Sequence, residues 1–113
     1  MLPKSQKIPR EIFDEILSGK NGATSPFFST RFFKTKKTLP SRFSFVVSKK
    51  IAKNAVERNT LKRRGYSFLQ KNKIRIKPSF VVVFFLKKGS EKLSTARFCE
   101  EIVSSLLKIK AWE

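Results

Sequence analysis

Arg58-Asn59 followed by Lys62-Arg63 is the spacing in this chain that most plainly carries chemistry. On a helix at about 100° per residue, with Arg58 at zero, Lys62 falls near 40°, Tyr66 near 80°, Asn59 near 100° and Arg63 near 140°. One helix would then present a plate of two Arg/Lys pairs around an amide and a phenol. A guanidinium fork matches the oxygens of a phosphate, and an Asn amide both donates and accepts at a backbone or base edge. The preceding segment, Ser48-Lys49-Lys50-Ile51-Ala52-Lys53, adds three more cations beside the plate. A Lys-rich helix face is ordinarily just a solvated surface. Here 26 Lys and Arg stand against 8 Asp and Glu, a net charge of +18, so the acids that would balance such a face are nearly absent. A compact domain with that imbalance repels itself, and a polyanionic partner is the simplest reason for it.

The inventory for self-sufficient catalysis is thin. The chain has no His, which removes the usual general base near neutral pH and the commonest nitrogen ligand for metals. Asp14 is the only Asp, and the Glu residues are scattered apart from Glu100-Glu101. Glu11, Asp14 and Glu15 read as the solvated face of a short helix rather than as the converging carboxylates of a metal-dependent nuclease. The single cysteine, Cys99, has no partner for an internal disulfide, which fits a reducing cytoplasm, and reads as a small apolar residue on a helix. The longest apolar run, Phe80 to Leu86, falls far short of the ~20 residues that span a bilayer, and the N-terminus lacks an apolar signal segment. RNA binding is the expected function, without a membrane.

The elements that must position the plate can be read in order. With 113 residues, the chain makes one domain, 1–113, and twelve Phe supply a core. Residues 1–8 form a loose basic segment. Pro9 opens a two-turn helix through Leu17, with acids in the first turn, Gly19 after its end, and Phe13, Ile16 and Leu17 on one face. Phe27 to Phe33 is a first strand, and Lys34 to Pro40 a basic loop. Arg42 to Ser48 alternates, with Phe43, Phe45 and Val47 on one face and Arg42, Ser44 and Ser48 on the other. Asn54 with Glu57 three residues on resembles a capping box, opening a helix from Ala55 to about Gln70 whose Leu61, Phe68 and Leu69 pack on the sheet. Phe80 to Leu86 is continuous and β-branched or aromatic, as in a central strand covered on both faces. A last helix from about Ser94 to Ile109 spaces Phe98, Ile102, Leu106 and Ile109 helically. The result is an α/β two-layer sandwich, a small mixed sheet with about three helices. Most Phe residues belong to its core. Lys34 to Lys37 and Lys87-Lys88 read as loop charges without specific contacts, and Trp112 as either a core cap or an exposed end.

Lys49-Lys50, then Ala55-Val56-Glu57-Arg58-Asn59, then Lys62-Arg63, resembles the signature of the protein component of bacterial ribonuclease P. The likeness extends to Glu11-Ile12-Phe13 with Gly19, to the Phe80–Phe85 strand and to the last helix. The chain departs from the pattern at Tyr66, where the family usually has Arg, at the preceding Gly65, and at Leu17, where an aromatic is common. The resemblance implies a sandwich with a left-handed crossover around the Arg-Asn helix, in a bacterial cytoplasmic ribonucleoprotein. It implies two RNA partners, the catalytic ribonuclease P RNA and the 5′ leader of precursor tRNA, and no required protein partner. Mg²⁺ belongs to the holoenzyme and is bound chiefly by the RNA, which carries out the hydrolysis; no catalytic residue and no cofactor are expected in this chain. By position, Lys49, Lys50, Lys53, Arg58, Asn59, Lys62, Arg63 and Tyr66 face the catalytic RNA. Phe13, Leu17, Arg42 and Ser44 line the leader cleft. A small ribosomal or RNA-chaperone protein would share the composition, but not the Arg58-Asn59…Lys62-Arg63 helix with a leader-sized cleft.

Overall fold

Alternating Phe residues on neighbouring strands build one face of the molecule, and two amphipathic helices close over it. The computed structural model describes residues 22–34 and 41–112. Four strands, β1 (Gly22–Thr24), β2 (Phe28–Lys34), β3 (Arg42–Val46) and β4 (Phe80–Leu86), form one sheet in the order β1-β2-β4-β3. β2 runs antiparallel to β1 and β4, whereas β3 and β4 are parallel neighbours. A parallel pair needs a crossover, and α1 (Ala55–Lys71) supplies it. The second helix, α2 (Thr95–Lys108), follows β4 after a 3₁₀ turn at Ser90–Lys92.

Each helix starts where its sequence says. The Asn54 side chain accepts a 2.8 Å bond from the Glu57 N–H and so caps the helix, while the return bond to the Glu57 carboxylate comes at 3.2 Å from the Asn54 side-chain amide rather than from its backbone N–H as in a capping box. Ser94 does the same work for α2, accepting from the Arg97 N–H at 3.2 Å. Both helices lie on one face of the sheet, where Phe28, Phe43, Phe45, Val82 and Phe84 meet Leu61, Leu69, Phe98, Ile102 and Leu106. Phe28 stands edge-on to Phe98 with centroids 5.3 Å apart, and Phe45 stacks on Phe84 at 4.9 Å. β4, flanked by strands on both sides, is buried along nearly its whole length, as its continuous apolar run requires.

Several details differ from the sequence reading. β1 was not foreseen, and the 9–17 helix, residues 1–8 and residues 35–40 of the basic loop lie outside the described residues. Lys34 ends β2 with its ammonium 5.6 Å from the Phe80 ring centre, and the Lys87 ammonium donates to the Ser25 carbonyl at 2.9 Å. Both lysines therefore have specific contacts, because the sheet register and the β1–β2 turn bring partners to them. Trp112 caps the core. It stacks on Phe68 at 6.0 Å, carries the Arg75 guanidinium 5.2 Å from its ring centre, and pairs in a short bridge with Ile76. No helix among the described residues is long and apolar enough to cross a membrane.

Candidate nucleic-acid interface

α1 buries a narrow stripe, Leu61, Gly65 and Leu69, and leaves most of its circumference to the solvent. Asn59 and Arg63 are exposed, Lys62 is half-buried, and no described residue holds any of these three side chains. Arg58 is different. Its Nη1 donates to the Ala52 carbonyl at 3.0 Å and the Lys53 carbonyl at 2.8 Å, so one arm of the guanidinium is committed to the loop before the helix. That loop is turned in further by the Ile51 and Ala52 N–H groups, which both donate to the Ser48 carbonyl. Lys49, Lys50 and Lys53 remain exposed on its outside. Arg58 thus ties the lysine-bearing loop to the first turn of α1.

Tyr66 does not stand out in the plate. From the flank of α1 its side chain reaches back to β3, where the ring meets Phe45 edge-on at 5.0 Å and the hydroxyl accepts from the Phe45 N–H at 3.3 Å. Gly65 explains how α1 comes so close. A Cβ at this position would lie 2.6 Å from Cε1 of Phe45, inside the ring's contact distance. The usual helix penalty of glycine, ~1 kcal/mol relative to Ala, is the cost of that approach rather than a weak point in the motif.

The second candidate surface is the sheet face turned away from the helices. Paired residues of adjacent strands point the same way, so Arg42 and Ser44 of β3 share that face with Val81 and Val83 of β4 and with Phe33 and Arg31 of β2. Arg42 and Ser44 are half-buried, and the two valines form a small separate cluster with Val46 and Phe85. Arg31 and Phe33 were missed in the sequence. The signal was there in the alternation of Ser29-Thr30-Arg31-Phe32-Phe33, blurred by the paired Phe residues. Phe13 and Leu17, assigned to the same cleft, lie outside the described residues.

Among the described residues no three His, Cys, Asp or Glu side chains converge as metal ligands. Burial pushes the Cys99 thiol up from its ordinary range, with nearby Lys71 partly offsetting the effect.

Fold and site together define a small, strongly basic two-layer α/β protein that offers a cationic helix at one edge of a mixed sheet. The Ribonuclease P family model matches residues 2–110, and the chain belongs to that family. The ribonuclease P protein component of Synechococcus elongatus is 29% identical over 106 residues, covering 89% of this chain and 87% of that protein. Among solved structures, the RNase P protein of Staphylococcus aureus superposes with a TM-score of 0.86 at 21% identity, covering 97% of this chain and all of that one. The RNase P protein of Thermotoga maritima gives a TM-score of 0.80 at 22% identity, covering 95% and 98%. At these identities the two structures bear on the fold alone.

Proposed function

We propose that this chain is the RNA-binding protein subunit of ribonuclease P, assisting a catalytic RNA in removing the 5′ leader of precursor tRNA in a bacterial cytoplasm. The observation that carries this reading is the α1 face. Asn59, Lys62 and Arg63 have no partner among the described residues, and the loop that Arg58 ties to the helix carries three exposed lysines. Cations in such an array neutralise the repulsion between two RNA backbones brought together, and their binding releases condensed counterions. The opposite sheet face, with Arg42 and Ser44 beside a valine floor, suits an extended unpaired strand such as the leader, and Phe13 would add a ring for base stacking. Mg²⁺, bound chiefly by the RNA rather than by this chain, would supply water activation and charge stabilisation at the phosphate. The scarcity of carboxylates leaves this chain without a cluster to hold that ion among the described residues. Its own residues bind, orient and neutralise, with no required protein partner.

Reconstitution tests the reading. The purified chain should leave precursor tRNA intact and should stimulate a bacterial ribonuclease P RNA at low Mg²⁺. Affinity for that RNA should fall steeply with salt, each phosphate contact adding roughly 0.7 to 0.9 to the log–log slope. Cleavage at the mature 5′ end by the protein alone, after nuclease treatment to remove RNA, would overturn the assignment of catalysis to the RNA. A flat salt plot would overturn the role of the cations.

A further inference from the structure

The far flank of α1 carries charge that the plate does not use. Arg64 and Lys71 fall near 240° and 220° on the helix, about 120° or more around from Asn59. Together with Arg63, Phe68 and, from α2, Cys99, they line a groove of about 360 Å³ between the two helices. Among the described residues no Asp or Glu lines this groove, and none forms an ion pair or hydrogen bond with the Arg64 or Lys71 side chain. Its one aromatic, Phe68, is held from behind, since Trp112 stacks on it nearly parallel (12°) and Arg75 in turn sits on Trp112.

We propose that this groove between α1 and α2 is a second RNA-binding surface, taking an unpaired strand with its phosphates on Arg64 and Lys71 and a base against Phe68. The inference rests on the reading of the chain as an RNA binder and adds a surface to it. A positively charged groove with a braced aromatic is the recurring solution for sequence-tolerant single-strand binding. The volume lies at the lower end of the ~300–1,000 Å³ typical of ligand clefts, the scale of a nucleotide unit rather than a duplex. Arg63, near 140°, lies between the two sets of cations, so a strand leaving the plate finds a continuous basic path around the helix.

The chain's only cysteine lines the groove and supplies the probe. Alkylation of Cys99 by N-ethylmaleimide in the full chain is followed by mass spectrometry, with and without saturating oligouridylate or ribonuclease P RNA. The unstructured oligomer should slow alkylation several-fold. The Arg64→Ala, Lys71→Ala double variant should lose that protection and bind oligouridylate on the order of tenfold more weakly, with an unchanged melting temperature. Phe68→Leu, which keeps an apolar side chain beneath the groove, should weaken oligouridylate binding with a smaller effect on the thiol. If oligouridylate binds in a gel shift while Cys99 reacts at its free rate, or if the double variant keeps the protection, the groove is not the site, although RNA binding stands. If neither RNA binds at all, the reading of the chain as an RNA binder fails and the inference falls with it.

Discussion

α1 and α2 lie side by side on the same sheet face, each opened by a side-chain cap, yet they use their surfaces in opposite ways. α2 carries Arg97 and Lys108 against Glu100 and Glu101, and Arg97 reaches both acids, at 3.7 Å and 3.3 Å. Its charge is balanced locally, and its other side puts Phe98, Ile102 and Leu106 into the core with no exposed surface. α1 carries Arg58, Lys62, Arg63, Arg64 and Lys71 against Glu57 alone, and buries a leucine, a glycine and a leucine. A helix with so narrow an apolar stripe cannot hold itself down by area. It is held by closeness to Phe45, by the Tyr66 bond and by the Arg58 tether, which leaves the rest of its surface for something outside the protein. One helix is built to pack and the other to present.

Substitutions can break that contrast. Phe98→Ala removes a fully buried ring from α2 and should lower stability by about 3–5 kcal/mol in urea unfolding; a loss near zero would mean that α2 is not the packing helix. Arg58→Ala should reduce ribonuclease P activity on precursors with long and with single-nucleotide leaders alike, through lost charge-assisted bonds of roughly 1.5–3 kcal/mol each and a loosened lysine loop. A defect confined to long-leader precursors would place Arg58 on the leader rather than on the catalytic RNA. Gly65→Ala sharpens the point. Helix propensity alone favours it by ~1 kcal/mol, but the methyl meets the Phe45 ring, and overpacking of this kind typically costs about 1–3 kcal/mol. Thermal melting of the variant should therefore show net destabilisation, and a rise in Tm would refute the close approach. The smallest effect is expected from Tyr66→Phe, which keeps the ring and deletes the acceptor of the Phe45 N–H, roughly 0.5–1.5 kcal/mol. RNA affinity should stay as it was; a tenfold loss would return Tyr66 to the RNA-facing plate.

The elements that read well in the sequence were those whose signal is local. β4 announced itself by seven apolar residues in a row, α1 by Asn54 and Glu57, and α2 by the spacing of Phe98, Ile102 and Leu106. β1, three residues of Gly-Ala-Thr, has no period to detect and exists because β2 offers it an edge. The polar character of Asn59, Lys62 and Arg63 followed from helical angles. The inward turn of Tyr66 did not, since it depends on where Phe45, 21 residues earlier, meets the helix. A similar distance in sequence hid the meaning of Gly65, which read as a departure from the family pattern and is a long-range fit to Phe45. Arg31 joined the Arg42 face only once the β2–β4 register was known.

The bond between the Tyr66 hydroxyl and the Phe45 N–H has a consequence for the protein before it meets any RNA. Among the described strands β3 stands at the edge of the sheet, and an open edge in a chain this rich in Phe is a template on which another molecule's strand can add. Tyr66 occupies the Phe45 donor toward the end of that strand and sets its ring edge-on against the Phe45 side chain. A change there should show itself first as aggregation at high protein concentration, with folding and affinity little altered, and excess RNA should not rescue it.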